Sequence, residues 1–262
     1  MKERIITGII AAILFGGLVI YGSWPFSALV ILLTLIGMYE LLKMKGFHRP
    51  SGLSIIGYIL SAGLALPKEW MDMLVPFTKQ DMLVAAVLLL LVVTVVSKNK
   101  TTFDDIAFVF LGSAYIGFGF YYLIETRFLE DGLSIVFFIL FMIWAADSGA
   151  YFTGKAIGKR KLWPVISPNK TIEGALGGIV WSAAVGAVCS LTGFVSFPLL
   201  TAIAISLFVG VFGQLGDLAQ SAFKRVYGVK DSGNLLPGHG GILDRLDSVL
   251  FVMPLLHVLH FL

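Results

Sequence analysis

The sequence predicts an all-α polytopic membrane protein of about nine transmembrane helices, with its long polar loops facing the cytoplasm. Three observations predict it. Of the 262 residues, 58% are hydrophobic and 13% charged, with a mean hydropathy of +0.92; a soluble domain carries roughly 25% charged residues. The apolar residues form continuous runs of helix length, whereas an outer-membrane barrel shows alternating segments of ~10 residues. The basic residues, finally, are shared unevenly between successive loops.

A spanning helix needs about 20 mostly apolar residues. Runs of that kind fall at roughly 5–22, 25–42, 52–67, 81–97, 105–124, 133–152, 172–192, 197–216 and 247–262. Met1-Lys2-Glu3-Arg4 ahead of an apolar stretch to Ile20 imitates a signal peptide. No small-x-small cleavage site follows, so this stretch is expected to remain as the first helix. Only Gly22-Ser23-Trp24-Pro25 separates the first two spans, which implies a tight antiparallel pair. The last span is short. With the amino end in the cytoplasm, 16 of the 19 Lys and Arg residues lie inside and only Lys68, Lys79 and Arg127 outside. The positive-inside rule expects such a split, and it puts the carboxyl end outside. Residues 1–130 are expected to be a transmembrane scaffold and 131–262 the catalytic region. Cys189 is the single cysteine, so no intrachain disulfide forms.

The first half carries little chemistry. Glu40, Lys43 and Lys45 stand at a helix end, where snorkelling to the interface is the expected behaviour. Gly117 and Gly119 of the GFGF run are expected to form a packing surface. The second half differs. Asp147 and Tyr151 are four apart and share one helix face. Asp147 suits either a site role or a structural hydrogen bond. After the basic loop from Lys155 to Lys161, Ser167-Pro168 disfavours helix at Ser167 and allows one to begin just beyond. Lys170 and Glu173 would then occupy its first turns, either as a phosphate seat or as a cap with an intrahelical ion pair. Gly174, Gly178, Ser182 and Gly186 recur at intervals of four, a stripe that lets helices approach closely in lipid.

Charge concentrates between Gln214 and Ser248, where Asp217, Lys224, Arg225, Lys230, Asp231, Asp244, Arg245 and Asp247 all occur. Ionisable groups beside hydrocarbon are costly and are kept where they pair or do chemistry. Gln214, Asp217, Ser221 and Lys224 follow i, i+3, i+7, i+10 and lie on one helical face. The glycine-rich loop beyond them brings backbone close to a ligand, and its His239 is read as a hydrogen-bonding or phosphate-contacting group. Carboxylates spaced like Asp244 and Asp247 can converge on a cation. Oxygen ligands of this kind suit Mg²⁺, which keeps several waters and joins one or two carboxylates to substrate phosphates. Scattered histidines and a lone cysteine give no zinc signature. His257 and His260 are expected to be structural.

The run S-x-F-K-R-x4-K-D-x-G-x2-L-P-x-H-G-G-I-x-D-R-L-D from Ser221 to Asp247 resembles the signature of the phosphatidate cytidylyltransferases, or CDP-diacylglycerol synthases. Ser167-Pro-Asn-Lys170-Thr171-x-Glu173-Gly174 and Asp147-x3-Tyr151 also resemble elements of that family. The resemblance covers residues 144 to 250, and the first half fits by hydropathy alone. It implies the reaction CTP + phosphatidate → CDP-diacylglycerol + diphosphate at the cytoplasmic membrane surface of a bacterium. It also implies metal binding by Asp217 and Asp244. The expected cofactor is thus Mg²⁺ shared by Asp217 and Asp244, with Asp247 or Asp147 in support and room for an additional monovalent cation. Lys170, Lys224, Arg225, Lys230, His239 and Arg245 are expected to meet CTP phosphates or the lipid phosphate. Ser167, Thr171, Ser221 and Tyr151 are expected to bind substrate. Membrane lipid and CTP are the expected partners, nucleic acid is not, and a homodimer is compatible with the sequence. A CTP-dependent lipid or polyprenol kinase is the rival enzyme reading. A transporter is disfavoured because intramembrane coupling carboxylates lie near the midplane, not beside basic loops.

Overall fold

A chain in hydrocarbon must satisfy its backbone N–H and C=O groups internally, which turns long apolar runs into helices. The computed structural model describes residues 2–74, 76–235, 238 and 240–262, with side chains described from Thr7 onward. Among the described residues it contains ten helices and one two-stranded sheet. In order these are α1 (Lys2–Tyr21), α2 (Ser23–Met44), α3 (Gly52–Ala65), α4 (Lys68–Leu74), α5 (Lys79–Val96), α6 (Phe103–Phe128) and α7 (Gly132–Ile157). The strands β1 (Lys161–Trp163) and β2 (Ser167–Thr171) follow, then α8 (Ile172–Leu191), α9 (Leu199–Val226) and α10 (Leu243–Val258).

Six of these helices, α2 and α5 to α9, are long and apolar enough to cross a bilayer among the described residues. The expectation of nine is therefore met only in its coarser form, an all-α integral membrane protein. Thr7–Tyr21 and Gly52–Ala65 are shorter apolar helices, and α10 has 16 residues with Pro254 inside it. At 1.5 Å per residue, the 14 residues of α3 fall short of a hydrocarbon core about 30 Å thick. The run 52–67 ends early as helix because Pro67 lies just beyond Leu66, and a residue before proline avoids the helical region.

The chain forms two compact units, Met1–Glu125 with Val229–Arg245, and Thr126–Gly228 with Leu246–Leu262. In the first, Gly22 and Ser23 both take positive φ (66° and 53°), so the break between α1 and α2 is tighter than four residues. Helices α3 and α5 start with reciprocal caps, Ser51 with Ser54 and Thr78 with Asp81. Leu60, Leu64 and Ala86 join α3 to α5, with Phe110 and Phe118 of α6 against them. A Cβ at Gly117 would lie 2.8 Å from Leu64 Cβ, so this glycine of the GFGF run packs against α3 as expected. Much of α5, from Val84 to Val96, keeps its aliphatic side chains exposed, as a helix facing lipid does.

In the second unit α8 packs closely against α7 and α9. All four residues of its small-residue stripe are buried. A Cβ at Gly178 would come within 2.6 Å of the Ala146 carbonyl oxygen and 3.3 Å of Gln214 Nε2. Ser182 donates to the Ser206 carbonyl at 2.9 Å, and Ser248 of α10 donates to that of Gly213 at 2.9 Å. His257 shares a 2.8 Å hydrogen bond with Thr126, the structural role expected for it.

The segment after Ser167-Pro168 departs from expectation. It is strand, not the first turn of a helix: β2 pairs antiparallel with β1, Lys161 opposite Thr171 and Trp163 opposite Ser167. Pro168 is tolerated because the ribbon has only two strands and hence open edges. The helix begins later because Thr171 is its cap, Oγ1 accepting from Gly174 N at 3.1 Å.

Candidate active site

The short ribbon delivers Lys170 to the site. Glu173, in the first turn of α8, accepts hydrogen bonds from the backbone N–H of Lys159 (3.0 Å) and Arg160 (3.2 Å). This carboxylate ties the basic loop to the helix start. The intrahelical Lys170–Glu173 pair is thus replaced, since Lys170 lies on β2 and points elsewhere. Its Nζ stands 2.5 Å from Asp217 Oδ2 on α9, with the two side chains 26% and 34% exposed. Ser221, one turn further along α9, donates to Asp217 Oδ1 at 3.3 Å. Both carboxylate oxygens of Asp217 are therefore addressed from within this unit.

Around the pair lies a cavity of about 490 Å³ lined by Asp147, Tyr151, Gly154, Lys155, Asn169, Lys170, Thr171, Gln214 and Asp217, among others. Asp147 and Tyr151 do share one face of α7, as their spacing requires. Gln214 is held by donating Nε2 to the carbonyls of Ala175 (3.1 Å) and Gly210 (2.8 Å). Asp247, half-buried at the start of α10, feels the repulsion of Asp217 and Asp147 and the attraction of Lys224. The sequence-predicted residues Asp147, Tyr151, Lys170, Thr171 and Asp217 line one cavity, with Ser221, Lys224 and Asp247 beside them. Arg225 and Ser167 sit at the hairpin: Arg225 Nε donates to the Ile166 carbonyl at 3.1 Å, and Ser167 is paired with Trp163. Lys155 and Asn169 line the cavity without having been singled out. Neither carries a residue-type signal that separates it from the other polar residues of a loop.

Lys230, Asp244 and Arg245 belong to the other compact unit, where Lys230 and Arg245 are exposed. There Asp244 Oδ2 accepts from Ser232 N (2.7 Å) and Gly241 N (3.0 Å) and lies 3.0 Å from Ser232 Oγ. His239 lies outside the described residues. The largest correction concerns Glu40. It does not snorkel: it is 2% exposed, and accepts from Ile242 N, Leu243 N and Ser232 Oγ. Snorkelling requires a long flexible stem. A Glu carries only two methylenes, and that shortness was the one available hint in the sequence.

Among the described residues no group of three or more His, Cys, Asp or Glu side chains is arranged to hold a metal ion by itself. Mg²⁺ does not need one, because it usually takes one or two carboxylates, waters and substrate phosphates. Asp247, repelled by Asp217 and Asp147, and the Lys170 ammonium standing as a cation against Asp217 fit that mode of binding.

Similarity to known proteins points the same way as these residues. The cytidylyltransferase family model matches residues 2–262. A Bacillus subtilis (strain 168) protein named phosphatidate cytidylyltransferase is 49% identical over 261 residues, covering 99% of this chain and 97% of its own length. Proteins of the same name from Staphylococcus saprophyticus and Staphylococcus aureus (strain COL) are each 43% identical, covering 99% of this chain and 98% of their own length. On agreement that runs through the whole length, the chain belongs to the cytidylyltransferase family.

Proposed function

We propose that this protein converts CTP and phosphatidate to CDP-diacylglycerol and diphosphate, at the cytoplasmic face of a bacterial membrane and with Mg²⁺. The observation that carries the reading is the near full-length similarity to relatives named for that activity. In the reaction a phosphate oxygen of the lipid forms a bond to the α-phosphorus of CTP, and the bond to diphosphate breaks. The lipid phosphate is already anionic at neutral pH, so no strong general base is needed. What the chain must do is bring two anions together and shield them.

Lys170 and Lys155 would supply ammonium charge to the cavity, with Lys224 and Arg225 in the same unit, and Lys230 and Arg245 keep the phosphate-contacting role that their place in the signature implies. Tyr151 and Asn169 offer hydrogen bonds, and Thr171 fixes the start of α8 so that Lys170 is presented beside Asp217. Asp217, with Asp247 or Asp147 in support, would hold Mg²⁺, and Asp244 keeps the metal-ligand role that its place in the signature implies. When bound, the ion supplies charge neutralisation at the phosphate oxygens. A topology of nine crossings with the amino end inside is proposed on the placement of 16 of the 19 basic residues.

The test is incubation of the purified protein in detergent with Mg²⁺, phosphatidate and CTP labelled at the α-phosphate, followed by lipid extraction. Label in the lipid phase with matching release of diphosphate supports the proposal. Release of labelled CDP with an unlabelled lipid product would mean terminal phosphoryl transfer, as in a CTP-dependent kinase, and would overturn it.

A further inference from the structure

Within the first unit one buried carboxylate holds together two stretches of the signature that are otherwise separated by a glycine-rich loop. Glu40 Oε1 accepts from Ile242 N at 2.8 Å, and Oε2 accepts from Leu243 N at 3.0 Å and lies 2.8 Å from Ser232 Oγ. The same Ser232 hydroxyl lies 3.0 Å from Asp244 Oδ2, which also takes the Ser232 and Gly241 N–H groups. A hydroxyl has one proton, so Ser232 bridges two carboxylates and donates to one at a time. The glycines around it leave no room for anything else. A Cβ at Gly233 would stand 2.6 Å from Glu40 Oε1, and one at Gly241 would collide with Ser232 Oγ and Glu40 Oε2. Two of the signature's fixed glycines are thus explained by a residue some 200 positions upstream that is not part of the signature.

We propose that Glu40 is a positioning residue for the reaction: from the end of α2 it locks Ser232–Gly233 onto Gly241–Leu243 and, through Ser232, holds the Asp244 carboxylate in one orientation for a divalent cation. The proposal rests on the metal role given above to Asp244. Glu40 itself, at 2% exposure, is placed to act through its neighbours rather than on substrate. A carboxylate that only capped the start of α10 would have no need of Ser232, and its loss would lower stability alone. A residue that orients a metal ligand has a different signature, because removing such outer partners typically weakens metal affinity or activity by about 10- to 100-fold.

The experiment uses the full-length protein in detergent and three variants, Glu40→Gln, Ser232→Ala and the double variant. Divalent-ion binding is read by the spectroscopic signal of Mn²⁺ used as the probe, thermal unfolding is read separately, and CDP-diacylglycerol formation is followed per folded protein. Glu40→Gln puts an amide NH2 where a carboxylate oxygen accepted a backbone N–H. The expected result is Mn²⁺ affinity and kcat both lowered by at least about tenfold. Ser232→Ala keeps both backbone bonds to Glu40, so it folds even where Glu40→Gln does not, and it is expected to shift Mn²⁺ affinity in the same direction. The double variant is expected to be little worse than the worse single one, since the two residues act on Asp244 in series. Unchanged Mn²⁺ affinity in Ser232→Ala, or variants altered only in thermal stability, would overturn the proposal. So would a parent protein that binds no Mn²⁺. A parent that binds Mn²⁺ but forms no CDP-diacylglycerol would remove the proposed reaction while leaving the role of Glu40 to be decided by the Mn²⁺ comparison.

Discussion

Replacing Lys170 by Ala distinguishes a structural ion pair from a working one. The ammonium stands 2.5 Å from Asp217 Oδ2, but the two side chains are 26% and 34% exposed. At an effective dielectric of ~20 the gross Coulomb attraction at that separation is roughly 7 kcal/mol. Lost hydration and the entropy of holding two side chains cancel most of it, and solvent-screened pairs net about 1 kcal/mol or less. Removing Lys170 should therefore lower the melting temperature by no more than about 4 °C in a chain of this size. Its loss from the reaction should be far larger. One positioned donor aimed at charge developing in the transition state is worth about 10²–10³ in kcat. The assay pairs transfer of α-labelled CTP into lipid with thermal unfolding of the same preparation. A Lys170→Ala protein that melts near the parent temperature and turns over hundreds of times more slowly is the expected outcome. Activity within about threefold of the parent, or a loss of activity matched by a loss of folded protein, would refute the assignment.

Asp217→Asn keeps the shape of the side chain and the hydrogen bond from Ser221 while removing the charge; turnover should vanish although the protein still inserts and extracts normally, and near-normal activity would end the metal-ligand role. Gly178→Val should loosen α8 from α7, because even a Cβ there lies 2.6 Å from the Ala146 carbonyl oxygen; overpacking of this kind costs about 1–3 kcal/mol, read as lower thermal stability, and an unchanged melting temperature would contradict the packing described. Removing divalent ions with a chelator should stop product formation and Mg²⁺ should restore it, whereas persistent activity in excess chelator would show that the carboxylates serve another purpose.

Continuous apolar runs and the one-sided placement of basic residues made an integral membrane protein legible, because hydropathy is a property of consecutive residues. The spacing of Gly174, Gly178, Ser182 and Gly186 revealed a packing face for the same reason, and the helix-period pattern from Gln214 to Lys224 put Asp217 and Ser221 within reach of one another. The two-stranded ribbon was not legible. Its five-residue second strand is shorter than any periodic signal, and Pro168 suggested a helix start that the Thr171 cap places four residues later.

By itself, then, the sequence determined the class of the fold, the family through its signature, and which polar residues the membrane tolerates. Which of those residues meet was decided only by tertiary structure. Lys170 finds Asp217 instead of Glu173 because β2 turns its side chain away from α8. Glu40 finds Ser232, Ile242 and Leu243 across separations of 192, 202 and 203 residues, contacts that no local pattern records. A buried carboxylate must have donors, but the chain decides which ones only when its helices pack.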